Sequence, residues 1–241
     1  MYALPPIIFY PELNSTQDKA WEFHEKGFEK IVIIARKQTT GHGRHGRTWF
    51  SPKGGLWFSY LRTINVKPEM LDLISLACGI SVALTLKSLD LNALIKWPND
   101  VMVNDKKIAG ILIDVKFIAE KIVAIVIGVG LNLNLSINEF PDDLKKQITT
   151  VFNELKYYVD EIKVLTSILK NIDTFLDNID SVKPLIHENA RRLNYLKNKL
   201  VKILLSNGKT IEDIAEDIDE NGRLKTVSGL TFSMHDVLYL Y

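Results

Sequence analysis

The densest potential chemistry lies in Gly41-His42-Gly43-Arg44-His45-Gly46-Arg47. Glycines let a backbone fold closely over a ligand, and Arg44 and Arg47 can offer paired N–H donors to phosphate or carboxylate oxygens. Trp49 and Phe50 follow with aromatic wall. From Lys30 to Lys67 the chain carries Lys30, Arg36, Lys37, Arg44, Arg47, Lys53, Arg62 and Lys67 and no Asp or Glu. Such a one-signed stretch suits an anionic ligand. The loop also satisfies G-x-G-x-x-G, the dinucleotide fingerprint, which needs a helix opening at the glycines and an acid about 20 residues on. Residues 48–55 will not start a helix, and nothing acidic appears before Glu69, so that reading is set aside. The bland alternative is a mobile basic surface loop. A loop this long without secondary structure is more often functional.

Three further runs carry polar groups at strand ends. Lys96-Trp97-Pro98-Asn99-Asp100 stops a strand, and its lysine, amide and carboxylate could hold phosphate and Mg²⁺. Taken alone, it reads more simply as a surface turn with an ion pair. Lys107-Ile108-Ala109-Gly110-Ile111-Leu112 starts with a cation and passes into an apolar strand, where Gly110 marks a place for close approach. Gly128-Val129-Gly130-Leu131-Asn132-Leu133-Asn134 says, alone, only that a strand ends in a turn. Cys78, the only cysteine, sits in an apolar run and reads as core rather than nucleophile. With no intrachain disulfide possible, a reducing, cytoplasmic setting is expected. His24, His42, His45, His187 and His235 lack ligand spacing with other donors.

These groups must be positioned by regular elements. Residues 7–10 read as a strand, and Asn14 or Ser15 caps a helix to about residue 26, with Ser15 and Asp18 spaced like a capping box. Strands are expected at 31–35, 56–62, 93–96, through 113 and at 122–127, with a helix at 68–89 and a hairpin turning at Asn104-Asp105. Residues 139–195 read as three helical pieces, broken near Tyr157 and Pro184. Beyond a boundary near Tyr195 come five short strands punctuated by Asn207-Gly208, Asn221-Gly222 and Ser228-Gly229, the pattern of a small barrel or sandwich. The domains expected are thus 1–195 and 196–241. Mixed hairpins and helices argue an α+β fold over a doubly wound sheet.

Composition narrows the classes. At 241 residues the chain has room for one large and one small domain, and 46% hydrophobic with 24% charged residues fits a soluble globular protein. A net charge of +1 gives no whole-molecule field for nucleic acid or membrane. No apolar run is expected to span a bilayer, and the start, Met-Tyr-Ala-Leu-Pro-Pro, does not read as a signal peptide.

Together the four runs resemble the biotin–protein ligase family, which carries a G-R-G-R-x-G-R-x-W loop, a K-W-P-N-D run, a K-[LI]-x-G-I-L strand and a G-[IVA]-G-[IL]-N strand end in that order. Ser15-Thr16 stands where that family places S-T-N. The resemblance covers roughly residues 7–135 by motif and the remainder by length and the small β domain. It implies a class II synthetase-like α+β catalytic domain followed by an SH3-like barrel. It implies an ATP-dependent ligase: biotin's carboxylate attacks the α-phosphorus of ATP, pyrophosphate leaves, and an acceptor lysine takes the biotin from the mixed anhydride.

The site residues follow from the same resemblance. Ser15, Thr16, Gln38, Arg44, Lys107, Leu112 and the backbone near Gly41 and Gly110 would hold biotin, with Trp49 in the wall between the two substrates. Arg47, Lys96, Asn99, Lys107 and Asn132 would hold ATP, and Asp100 would meet Mg²⁺. Arg44 and Lys107 would neutralise charge during the reaction. A biotin carboxyl carrier protein is the implied acceptor, and a homodimer the implied assembly.

Two positions depart from the pattern, His42 in place of arginine and Gln17 in place of asparagine. Some members of the family it resembles carry an N-terminal winged helix, and with the first motif reached at Ser15 no DNA binding is expected. Lipoate–protein ligases share the fold, but their R-R-x-x-G-G-G motif does not fit residues 44–49. A nucleic-acid-binding module built on the basic loop and the terminal barrel is disfavoured by Glu212, Asp213, Glu216, Asp217, Asp219 and Glu220 in that barrel.

Overall fold

The computed structural model describes residues 2–241. Ile7–Tyr10 forms β1, Thr16–Glu25 forms α1 and the β-branched run Lys30–Ala35 forms β2. The start of α1 is fixed by Ser15, whose Oγ accepts from the N–H groups of Gln17 (3.1 Å) and Asp18 (3.4 Å). Leu56–Val66 is β3 and Leu71–Lys87 is α2. Leu94–Lys96 (β4), Asp100–Val103 (β5), Lys106–Ile118 (β6) and Lys121–Leu131 (β7) complete a seven-stranded sheet in the order β1-β2-β3-β7-β6-β5-β4. Only β1 and β2 run parallel, so the α+β expectation holds. Asn104 and Asp105, at φ 49° and 59°, turn the hairpin between β5 and β6.

The two faces of the sheet have different covers. On one, α1 packs Ala20 against Ile31, Ile33, Leu61 and Val126. On the other lies α2, which corrects one expectation from the sequence. It is long and apolar enough to cross a membrane when counted from Pro68. Within the fold it is instead the core helix, with every residue but Leu84 and Lys87 buried. An apolar helix enclosed on all sides has the composition of a span without being one.

After β7 come Asp142–Lys145 (α3), Val151–Leu155 (α4), Glu161–Leu176 (α5) and Ile179–Arg192 (α6). The expected break near Tyr157 is present, opened by Lys156 at φ 66°. The second falls at Asp177-Asn178, and Pro184 lies inside α6. One proline removes a single intrahelical bond, while Ile179, Ile186 and Ala190 are buried on either side of it and hold the helix to the core. The strand β7 also continues through Gly128-Val129-Gly130, which alone reads as a turn. It does so because β3 and β6 pair with it on both edges as far as Leu131.

Five strands, Leu200–Leu205 (β8), Thr210–Ile218 (β9), Leu224–Thr226 (β10), Thr231–Phe232 (β11) and Val237–Leu240 (β12), form a second, antiparallel sheet in the order β11-β10-β9-β8-β12. Its expected turns carry glycines at φ 82°, 83° and 87° (Gly208, Gly222, Gly229). Its apolar face, including Val201, Ile203 and Leu224, joins the same core as α2. Polar ties fasten it on the side of the cavity and of α2. Met234 N donates to Asp72 Oδ1 at 2.7 Å, Trp97 Nε1 donates to Gly222 O at 2.9 Å, and Arg44 reaches its backbone as described below. Burial raises the Asp72 carboxyl above its usual range, opposed by the hydrogen bond from Met234.

Gly222 makes the docking point testable. A Cβ there would lie 2.8 Å from the Asp72 carbonyl carbon and from Leu73 N, on a backbone already at positive φ. Gly222→Ala is expected to cost about 2 kcal/mol, measured by chemical unfolding. An unchanged midpoint would mean that the two sheets are not clamped at this turn.

Candidate active site

The strand-end runs converge on one cavity of about 710 Å³, on the face of the large sheet reached by the start of α1. Register explains which residues enter it. Ser59 of β3 pairs with Gly128 of β7, and Gly128 with Leu112 of β6, so the three form one row across the sheet. Trp57, Gly130 and Gly110 form the next row. In β6 the alternation is broken: Val101 pairs with Ala109 but Met102 with Lys107, a one-residue bulge. Ile108 and Ala109 are therefore both in the core, while Lys107, Gly110 and Leu112 all line the cavity. The backbone of Lys107 is clamped from outside by Gln147 O and Thr149 N, each at 2.9 Å.

Bare glycines give the cavity its floor. An added Cβ at Gly110 would sit 3.0 Å from Trp49 Cζ3, and one at Gly130 would run into the Trp49 indole. The ring thus lies flat over β6 and β7, as only glycines permit. Lys107 Nζ stands 4.8 Å from the centre of that ring and 2.6 Å from Asp100 Oδ1.

Under α1 the lining is polar and neutral. Thr16 N donates to Gln38 Oε1 at 2.8 Å, Gln38 Nε2 donates to Ser51 Oγ at 2.9 Å, and the Thr16 and Ser59 hydroxyls are 2.8 Å apart. Beyond Trp49 the lining is charged, with Lys96, Asp100, Lys107, Arg44 and Arg47. Burial lowers the Lys96 ammonium below its usual range; Asp100 opposes this, while Lys107, Lys199 and Arg47 add to it. Among the described residues the buried atoms Trp49 Nε1, Asp100 Oδ1 and Asn132 Oδ1 have no hydrogen bond of good geometry, although Lys107 neutralises Asp100 at ion-pair distance. Buried polar atoms are normally paired, so Trp49 Nε1 and Asn132 Oδ1, unpartnered on one cavity, suit a polar ligand.

The glycine-rich loop is anchored in an unexpected way. It forms a single 3-10 turn, Arg44–Gly46, with His45 at φ 57°. Arg44 Nη2 donates to Met234 O and Val237 O, both at 2.7 Å, and Nη1 approaches Asn99 Oδ1 at 3.4 Å. The guanidinium assigned to substrate charge thus also ties the loop to the second sheet. Burial lowers its pKa, helped by the neighbouring Arg47. Arg47 stacks over the Tyr239 ring at 4.9 Å. Burial and Arg44 keep the His45 imidazole below its usual pKa.

Of the residues singled out from the sequence, Ser15, Thr16, Gln38, Arg44, Arg47, Trp49, Lys96, Asn99, Asp100, Lys107, Gly110, Leu112 and Asn132 all line the cavity. Gly41 does not. A Cβ there would meet Ser51 Oγ, Trp49 O and Gln38 Nε2 within 2.9 Å, so this glycine packs the base of the loop instead. Sequence reasoning missed Ser59, a small hydroxyl in a mostly apolar strand, and Tyr239, contributed from the far end of the chain. It also gave Gln17 no role in the lining.

The sequence model of the Biotin/lipoate A/B protein ligase family matches residues 10–132. The chain is similar to the bifunctional ligase/repressor BirA of Bacillus subtilis, 31% identical over 166 residues that make up 68% of this chain and 51% of that protein. It is 30% identical over 219 residues to the biotin–[acetyl-CoA-carboxylase] ligase of Mycobacterium tuberculosis, covering 87% of this chain and 79% of that one. Its fold superposes on the biotin protein ligase from Aquifex aeolicus in complex with biotin and ATP with a TM-score of 0.79 at 27% identity, over 98% of each chain. The chain therefore spans about half the length of the Bacillus relative and nearly all of the Aquifex one, second sheet included. Every motif residue on the cavity, from Ser15 to Asn132, falls inside the matched segment, and the chain belongs to the biotin/lipoate A/B protein ligase family.

Proposed function

We propose that this chain is a biotin–protein ligase that forms biotinyl-adenylate from biotin and ATP and passes the biotin to a lysine of a carboxyl carrier protein. The observation that carries this reading is the cavity itself. Neutral hydrogen-bonding groups on Thr16 and Gln38 and charged groups on Lys96, Asp100, Lys107 and Arg47 share one space, separated by the Trp49 ring. The first set suits a polar, uncharged head group and the second a carboxylate meeting a triphosphate. The relatives named as biotin ligases, and the Aquifex enzyme holding biotin and ATP, support the same assignment.

The chemistry asked of the protein is positioning and charge neutralisation. Lys107 would hold the carboxylate and the α-phosphate together and offset the charge that builds as they react. Lys96 and Arg47 would take the remaining phosphates, with Asn99 and Asn132 beside them. Trp49 keeps water from the mixed anhydride. Transfer needs no protein nucleophile, which agrees with a Cys78 thiol buried and pushed up to about 12 by loss of solvent.

Asp100 fits Mg²⁺ by its chemistry and place: it is a carboxylate on the cavity lining, a quarter exposed, beside Lys107 and Lys96 where phosphates would lie. Among the described residues no group of three or more His, Cys, Asp or Glu gathers around a metal. The ion would rest on Asp100 and the nucleotide phosphates, whose charge it would neutralise when bound. The same reading takes residues 1–195 as the catalytic domain, 196–241 as an SH3-like domain that closes the loop over the site, and a homodimer in the cytoplasm as the working form.

Mass spectrometry after incubation with ATP and Mg²⁺, with biotin in one tube and lipoate in another, tests this reading. Biotinyl-adenylate in the biotin tube alone is the expected result. An adenylate with lipoate instead would make the protein a lipoate ligase, and none in either tube would remove the ligase reading.

A further inference from the structure

Gln17 is buried, sits in the second position of α1 and departs from the S-T-N pattern of its resembling family. Its carboxamide reaches across onto the sheet. Nε2 donates to Val126 O at 2.9 Å and to Asp114 Oδ2 at 3.0 Å. Those acceptors use both amide hydrogens and so fix which way the amide faces. Oε1 is left toward Ser59, whose hydroxyl donates to it at 2.8 Å. Space for the amide exists because residue 128 is glycine; a Cβ there would be 2.6 Å from Gln17 Oε1.

This bond sets the direction of a chain of hydroxyls. A carbonyl oxygen only accepts, so the single hydrogen of Ser59 goes to Gln17. In the 2.8 Å pair between Ser59 and Thr16, Thr16 is then the donor. The other acceptor within reach of Thr16 Oγ1 is Gln38 Oε1, at 3.0 Å. Whichever it chooses, its one hydrogen is held by the protein and it keeps a lone pair for the cavity it lines. Gln38 is oriented too, because its Oε1 accepts from Thr16 N while its Nε2 donates to Ser51 and keeps one hydrogen in hand. An acceptor and a donor therefore stand side by side under α1.

We infer that Gln17 is a positioning residue for substrate choice: acting through Ser59, it fixes Thr16 as an acceptor and so selects an acyl substrate whose head carries an N–H group next to a carbonyl. The inference rests on the ligase reading above and adds to it the residue that sets the polarity of the head-group end. A side chain at position 17 that donates toward Ser59 would turn the Ser59 hydrogen onto Thr16, whose own hydrogen would go to Gln38, and leave Thr16 one lone pair fewer for the substrate's N–H.

Steady-state adenylation kinetics of two variants test it. Gln17→Met keeps the length and removes the amide; Ser59→Ala deletes only the relaying hydroxyl and guards against a fold lost in the first. Each is expected to raise the KM for biotin by about tenfold or more, because a site built on hydrogen bonds loses discrimination when its polar groups lose their order. The KM for ATP and the kcat at saturating biotin should stay within about twofold, and inhibition by lipoate, whose head has no N–H, should not change. A biotin KM within about threefold of wild type in both variants overturns the assignment. So does an equal rise in the KM for ATP, which would mark general distortion of the site. Wild-type protein that makes no biotinyl-adenylate would instead remove the ligase reading, and this inference with it.

Discussion

Replacing Lys107 by methionine is expected to slow biotinyl-adenylate formation by about 10²–10³-fold, the range seen when one preorganised charge-stabilising donor is removed. The argument starts from the strand. The bulge at residues 108–109 turns Lys107 to the cavity side, and the backbone bonds to Gln147 and Thr149 keep it there. Its ammonium is held between Asp100 and the face of Trp49. It is thus fixed where two anions must be brought together, and little reorganisation is needed when charge develops. Methionine preserves the stem over Trp49 and removes only the charge. The loss should appear mainly in kcat, followed as pyrophosphate release, with stability nearly unchanged because both members of the Lys107–Asp100 pair are about a quarter exposed. A loss smaller than about fivefold would take the role from Lys107 and leave Arg44 or Lys96 as the principal cation. The double variant with Asp100→Asn separates the missing cation from the carboxylate it leaves unpaired.

Much of this site was legible because residue type and order carried it. The glycine-rich loop, the lysine-to-aspartate turn and the two strand ends each name side chains that have few other uses in that sequence, and all but Gly41 of the residues they supplied line the cavity. What stayed hidden depends on pairing partners that a single sequence does not print. The bulge that brings Lys107 and Gly110 to one face arises from the register of β5 against β6. The hold of Arg44 on the second sheet uses the carbonyls of Met234 and Val237, and backbone carbonyls are the same in every residue. Ser59 reads as one small polar residue in a buried strand until β3 is laid beside β7 and under α1. Likewise Pro184 is a strong local signal for a break, but the burial of Ile186 and Ala190 after it outweighs one missing hydrogen bond.

The largest effect on stability is expected from Asp173, well away from the reaction. This α5 carboxylate, 6% exposed, accepts four hydrogen bonds: Oδ2 from the Tyr2 hydroxyl at 2.7 Å and Lys30 Nζ at 2.9 Å, and Oδ1 from the Tyr60 hydroxyl at 2.7 Å and Arg62 Nη1 at 2.9 Å. It thereby fastens α5 and the N-terminal segment to β2 and β3. Asp173→Asn would leave Arg62, itself only 12% exposed, with a neutral amide on one side and the half-exposed carboxylate of Asp177 as its remaining charged partner. Breaking a buried charge pair from one side costs about 3–5 kcal/mol when the charge left behind has no partner, and Asp177 brings the expected loss toward the lower end of that range. Lys30, at 39% exposure, adds little because water screens it. Burial by itself would raise the Asp173 carboxyl, but the bonds from Tyr2, Tyr60 and Lys30 and the charge of Arg62 outweigh it and hold the group below its ordinary range. A carboxyl with a depressed folded pKa contributes fully above its unfolded value of about 3.9 and loses that contribution as pH falls through the folded value. Urea unfolding at neutral pH should therefore separate wild type from variant by the full amount, and the difference should begin to shrink below about pH 4 and vanish only below the lower, folded value. Since neither Asp173 nor its four partners line the cavity, folded variant should keep wild-type kcat and KM for biotin. A difference under about 1 kcal/mol at neutral pH would show that the four bonds only replace those made to water.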